Sequence, residues 1–95
     1  MIRSWRNARS RRIWEGDRPN QFRGLDFDAA VDLLSALNVA QSLQDLGPLE
    51  SVGLHKLKGN RAGQWAMTVN PRWRICFFFR EGDAHDVEIL DYHRG

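Results

Sequence analysis

The hydrophobic period changes once along this chain, near residue 50, and that change limits the fold more than any other feature. Between Asp26 and Gln41, Phe27, Ala30, Val31, Leu34 and Leu37 recur at threes and fours, the pattern of one face of an amphipathic helix. Asp26 or Asp28 near its start suits the positive end of the helix dipole. Gly47-Pro48, within the stretch from Leu43 to Glu50, ends the helical region. From Gly53 onward the period is two. Residues 53–58 read as a short strand, followed by the turn-prone Gly59-Asn60-Arg61-Ala62-Gly63. Trp65, Met67 and Val69 then alternate with Gln64, Ala66 and Thr68, so this strand is expected to bury one face. After Asn70-Pro71, the strand from Trp73 to Phe79 is apolar on both faces, as a covered central strand should be. Glu81-Gly82-Asp83 closes a hairpin, and a last strand runs from about His85 to Asp91.

The N-terminal quarter adds two smaller elements. Met1 to Arg6 reads as a short edge strand, and Asn7 is placed to cap a helix that runs to Glu15 and stops at Gly16. Residues 17–24, with Pro19, Asn20 and Gly24, form a connection. Helices followed by an antiparallel meander give an α+β class: a short N-terminal strand and two helices packed on a curved, mainly antiparallel sheet. Ninety-five residues, 42% of them hydrophobic, suit one domain spanning 1–95 with one modest core. No long apolar run and no signal-peptide core is present, so a soluble, cytoplasmic protein away from membranes is expected. The single cysteine, Cys76, lies in an apolar strand and reads as a core thiol with nothing nearby to stabilise a thiolate.

Charge is segregated although the net value is only +2. Arg3, Arg6, Arg9, Arg11, Arg12, Arg18 and Arg23 crowd the first quarter, and Lys56, Lys58, Arg61, Arg72, Arg74 and Arg80 fill the second half. Between them, Leu25 to Val52 carries Asp26, Asp28, Asp32, Asp45 and Glu50 with no Lys or Arg. Such grouping fits a polyanion partner, and it also fits arginines spread over a solvated surface.

Arg74 narrows the choice because it interrupts the apolar central strand. A buried arginine needs a carboxylate or a cleft. A hairpin around Gly82 brings Arg74 near Asp91, Tyr92 and His93, where it either salt-bridges Asp91 or faces a site. If the strand with His55 and Lys58 joins the same sheet, these six side chains suit cleavage of a phosphodiester without a metal or other cofactor. One group takes a proton from a ribose 2′-hydroxyl, another protonates the leaving 5′-oxygen, and Lys58 and Arg74 offset the phosphorane charge. Tyr92 offers a stacking surface for a base. No spacing of His, Cys or carboxylates matches a zinc or calcium site.

Three stretches carry a family resemblance: Leu54-His55-Lys56-Leu57-Lys58-Gly59-Asn60-Arg61-Ala62-Gly63-Gln64-Trp65, Val69-Asn70-Pro71-Arg72-Trp73-Arg74-Ile75-Cys76-Phe77, and Val87-Glu88-Ile89-Leu90-Asp91-Tyr92-His93. Together with Met1-Ile2-Arg3-Ser4-Trp5 and Leu37-Asn38-Val39-Ala40, they resemble the HigB type of toxin in the RelE superfamily. The resemblance implies the RelE-like fold and a ribosome-dependent endoribonuclease that cuts messenger RNA. It also implies a helix-turn-helix antitoxin of the HigA kind, through which alone the protein would meet operator DNA. Carried over by position, it assigns His55, Lys58, Arg74, Asp91, Tyr92 and His93 to catalysis, with Asp91 orienting His93. The long helix here is acidic, so RNA binding is expected to rest on Arg9, Arg11 and Arg12, with Arg61 and Arg72. Two rivals stand beside this reading: a module that grips RNA or antitoxin with the same basic sheet without cutting, and a gyrase-directed toxin of the ParE type, which shares the fold but against which His55 and Tyr92-His93 argue.

Overall fold

The computed structural model describes residues 1–46 and 53–91. Two helices, α1 (Ala8–Trp14) and α2 (Phe27–Val39), precede four strands, β1 (His55–Lys56), β2 (Trp65–Thr68), β3 (Trp73–Arg80) and β4 (Asp83–Asp91). The strands form one antiparallel sheet in chain order. Gly47-Pro48 and the acidic Glu50 lie outside the described residues.

Both helices begin where side chains satisfy their first free N–H groups. Asn7 accepts from the Ser10 N–H at 2.9 Å, and Asp26 accepts from the Ala29 N–H at 3.0 Å. The α2 face carrying Ala30, Leu34 and Leu37 is fully buried against the sheet, where it meets Met67, Ile75, Phe77, Val87 and Ile89. The central strand β3 buries Trp73, Ile75 and Phe77 on this helix side and Cys76 on the other, so it is covered on both faces. On β2 burial is not one-sided, because Gln64 and Ala66 are covered as well as Met67.

Three features depart from the sequence expectation, each for a local reason. The first six residues make no regular strand; they run parallel to β4 through the bridges Ile2 to Ala84 and Trp5 to Val87. Asn38 of α2 holds this segment by accepting from the Ile2 N–H at 3.0 Å. Strand β1 is only His55–Lys56, because the chain turns into a 3-10 turn at Gly59–Arg61 after Leu57 donates to the Gln64 carbonyl at 2.8 Å. The β3–β4 hairpin closes on two residues, Glu81 and Gly82, with φ of 51° and 81°, which is the mirror-image turn that matches strand twist.

A β-bulge in β4 has the widest effect. Arg80 pairs with Asp83 beside the turn, yet Cys76 pairs with Glu88, so one extra residue enters near Asp86, whose φ is 51°. The Ser4 hydroxyl accepts the Asp86 N–H at 2.9 Å and holds the kink. The inserted residue lets Ala84 and Val87, three apart, both face the helices, and it turns Glu88 to the opposite face.

Candidate functional site

The sheet face away from the helices carries the chemistry. Register places His55, Ala66, Cys76 and Glu88 in one row across the four strands, and Thr68, Arg74 and Leu90 in the next. Cys76 lies at the centre, 3% exposed. Burial pushes its thiol up to about 11; Arg61 opposes that rise, Glu88 adds to it, and Arg74 opposes it again. Two guanidinium charges therefore do act on this thiol, contrary to the sequence expectation, but burial and Glu88 outweigh them. It is a protonated filler rather than a nucleophile.

Glu88 organises the cations above it. Its side chain is 10% exposed, and Oε1 lies 3.0 Å from Arg61 Nη1 and 3.6 Å from Arg6 Nε. The Asn7 amide lies 3.5 Å from its other oxygen, and Arg61 also donates to Gln64 Oε1 at 3.2 Å. A carboxylate this well covered stands only because cations meet it. Sequence reasoning passed over Glu88, although it breaks the apolar run Val87-Glu88-Ile89-Leu90 just as Arg74 breaks its own strand.

Arg61 is the wall between two clefts. One, of about 490 Å³, is lined by Arg6, Leu57, Lys58, Asn60, Arg61 and Gln64. The other, of about 760 Å³, opens beside the end of β4 and is lined by Arg9, Arg23, Arg61 and Arg72 together with Asp91. Connection 17–24 reaches this second cleft because it is strapped to the β2–β3 turn. Asn70 Nδ2 donates to the Gly24 carbonyl at 2.8 Å, and Trp73 Nε1 donates to the Arg23 carbonyl at 2.9 Å.

The expected salt bridge between Arg74 and Asp91 is replaced. Arg74 lies opposite Leu90 and Asp91 opposite Trp73, so the two start from opposite faces of the sheet. Asp91 is held instead by Arg72 at 2.8 Å, and a hydrogen bond and the charge of that carboxylate raise the Arg72 pKa above its usual value. The Arg74 guanidinium is fixed by the carbonyls of Asn70 at 3.0 Å, Trp73 at 3.3 Å and Pro71 at 3.4 Å. Tyr92 and His93, the next two residues beyond β4, lie outside the described residues.

The other candidates divide. Lys58 lines the smaller cleft, beside Arg61. His55 is exposed on the far edge strand, three strand spacings or about 14 Å from β4. Its Nδ1 lies 2.8 Å from the Gly53 carbonyl. A carbonyl only accepts, so Nδ1 is the donor in this contact, which makes Nε2 the nitrogen able to accept when the ring is neutral. Of the arginines expected to bind RNA, Arg11 and Arg12 are engaged by Glu15 at 3.3 Å and Asp17 at 3.2 Å. Arg9 faces the larger cleft. Among the described residues, no three His, Cys, Asp or Glu side chains converge as a metal site would require. None of their helices is long and apolar enough to cross a membrane.

The fold matches YafQ from E. coli strain BL21(DE3) with a TM-score of 0.68 at 14% identity, covering 99% of this chain and 94% of that one. A mutant of YafQ from E. coli gives 0.67 with the same coverage. In sequence, the chain is 34% identical over 93 residues to the Endoribonuclease HigB of Proteus vulgaris, covering 98% of this chain and all of that protein. The family described as the RelE-like toxin of type II toxin-antitoxin system HigB matches residues 4–93. With near-complete coverage in sequence and fold, the chain belongs to the HigB-like toxins, RelE-like members of type II toxin-antitoxin systems that pair with an antitoxin.

Proposed function

We propose that this toxin is a cytoplasmic endoribonuclease that cuts messenger RNA on the ribosome, without a metal ion, and is silenced by a helix-turn-helix antitoxin of the HigA kind. The observation that carries this reading is the gathering of Arg6, Lys58, Arg61 and Arg74 around Glu88 and Cys76, beside the strand that leads into Asp91-Tyr92-His93. Endoribonuclease is also the name of the Proteus vulgaris relative.

In the proposed reaction a ribose 2′-oxygen attacks the adjacent phosphorus. The O2′–P bond forms as the P–O5′ bond breaks, leaving a 2′,3′-cyclic phosphate and a 5′-hydroxyl. His93 and His55 share the two proton transfers: one takes the 2′-hydroxyl proton, and the other gives a proton to O5′. His55 Nε2 is the available acceptor on its ring, given the Nδ1 contact. Asp91 orients His93, while Lys58 and Arg74 meet the extra negative charge of the phosphorane. Arg74 suits that work because three carbonyls already fix its guanidinium. Tyr92 stacks on a base at the cut codon.

The test maps the 5′ ends of cellular RNA after brief expression in a tolerant host. Cuts inside translated frames that vanish when translation is blocked are the expected result, and cutting of free RNA would remove the ribosome from the scheme. His93→Ala should abolish the cuts while fold and antitoxin affinity stay unchanged; undiminished cutting would sink the assignment. Chelator should leave the activity intact. Loss of gyrase supercoiling without RNA cuts would favour the gyrase-directed rival.

A further inference from the structure

Seven arginines lie in the first quarter of the chain, and the structure sorts them. Arg3 pairs with Asp83 at 3.2 Å, Arg6 with Glu88, Arg11 with Glu15, Arg12 with Asp17, and Arg18 with Asp28 at 3.2 Å. The two that make no ion pair among the described residues are Arg9 and Arg23, and both line the larger cleft. They arrive there from separate elements. Arg9 lies in the first turn of α1, whose Ser10 hydroxyl accepts the Ile89 N–H of β4 at 3.0 Å. Arg23 follows the buried Phe22, and its carbonyl is held by Trp73. The backbones are fixed while both side chains are exposed, which is how a site for an external anion is prepared.

The other two guanidinium groups of the cleft, Arg61 and Arg72, are already engaged in ion pairs, with Glu88 (which Arg6 shares) and Asp91. The cleft cations with no carboxylate partner among the described residues are therefore Arg9 and Arg23. We propose that these two residues form a second phosphate-binding subsite, for a phosphate of the same RNA strand flanking the one that is cut. The proposal rests on the endoribonuclease reading. The strand's path is set by Arg61, which walls both clefts, so RNA held beside Lys58 continues directly past it towards Arg9 and Arg23.

A protein occupant fits less well. A protein interface needs an apolar centre. The large hydrophobic side chains with the highest exposure among the described residues, Met1 and Val39, do not line this cleft. The Trp73 ring in its wall is 4% exposed and packs on Phe22 at 5.3 Å, so it offers no face for a base. The subsite thus reads charge and not sequence.

The test measures cleavage of short synthetic messengers on programmed ribosomes, with the parent and with Arg9→Ala/Arg23→Ala. Both side chains are exposed, and an unchanged melting temperature checks that the double variant folds. Its KM should rise about tenfold with kcat nearly unchanged, as loss of charge-assisted bonds made equally in ground and transition states requires. Replacing phosphates singly by neutral methylphosphonates should find one flanking position that raises the parent's KM about tenfold by the same loss and leaves the double variant unaffected. An unchanged KM for the double variant overturns the proposal. So does a raised KM with the methylphosphonate effect intact, which places the arginines on ribosomal RNA. Weakened antitoxin binding with unchanged KM also overturns it, in favour of an acidic protein segment. A parent that cuts no RNA removes the endoribonuclease reading itself, and the subsite with it.

Discussion

Ser10 is the residue through which α1 is tied to the sheet, and replacing it with alanine tests that tie directly. Its side chain is fully buried, and its hydroxyl accepts the Ile89 N–H at 3.0 Å, where no neighbouring strand among the described residues supplies β4 with a carbonyl. Ser10→Ala leaves that buried N–H without an acceptor, which costs about 1–3 kcal/mol. Alanine returns roughly 0.5 kcal/mol through its better helix propensity. The backbone cap from Asn7 is untouched, because Asn7 accepts from the Ser10 N–H and not from its side chain. A net loss of about 1.5 kcal/mol corresponds to a melting temperature lower by about 6–12 °C in a domain this small. Thermal melting by circular dichroism reads the total, and hydrogen exchange at the Ile89 amide reads the site. A midpoint shifted by less than about 2 °C, on a scale of roughly 4–8 °C per kcal/mol, would show that the bond contributes nothing net. Unchanged protection at Ile89 would show that another acceptor takes over.

Two further perturbations probe the helix-free face. Glu88→Gln removes the charge that gathers Arg61 and Arg6; those side chains are 35% and 53% exposed and rehydrate, so the loss should be about 1 kcal/mol, seen as a melting point lower by roughly 5 °C. The same change should speed alkylation of Cys76, since Glu88 is one of the groups that hold its thiol protonated. An unchanged alkylation rate would separate Glu88 from the thiol. Cys76 also sets an alkaline limit: its folded pKa of about 11 lies above the unfolded value of about 8.5, so its contribution is complete below the unfolded value and is lost as pH rises towards the folded one. Urea melts should therefore weaken with alkali less in Cys76→Ala than in the parent, and parallel pH profiles would refute this.

What could be read from the sequence was what depends on neighbours along the chain. The α2 face, the two-sided apolar strand β3 and the Asn7 cap follow from periodicity and local hydrogen bonding, and Asp26, one of two acidic residues placed at the start of α2, turns out to cap it. Pairing across strands was harder because of Asp86. Its extra residue shifts the β3–β4 register by one, which moves Asp91 off the face of Arg74 to a position opposite Trp73, where Arg72 meets it from the neighbouring turn. Nothing in His85-Asp86-Val87 announces a bulge, since its cause is the Ser4 hydroxyl, far away in sequence. For the same reason the basic N-terminal segment looked uniform. Only the fold shows that Arg11 and Arg12 are occupied by nearby carboxylates while Arg9 and Arg23 converge. Glu88 was visible as a charge in an apolar strand, but its importance depends on Arg61 and Arg6, which reach it from two other parts of the chain.

The opening residues run beside β4, and this has a consequence for how the molecule is made. Ile2 and Trp5 are synthesised some eighty residues before their bridge partners, Ala84 and Val87. The α1 helix waits as well, because Ser10 needs the Ile89 amide. Contacts between residues so far apart in sequence form slowly, and only after β4 has been made. A nascent chain therefore cannot assemble the surface around Glu88 until β4 is available to receive both the opening residues and α1.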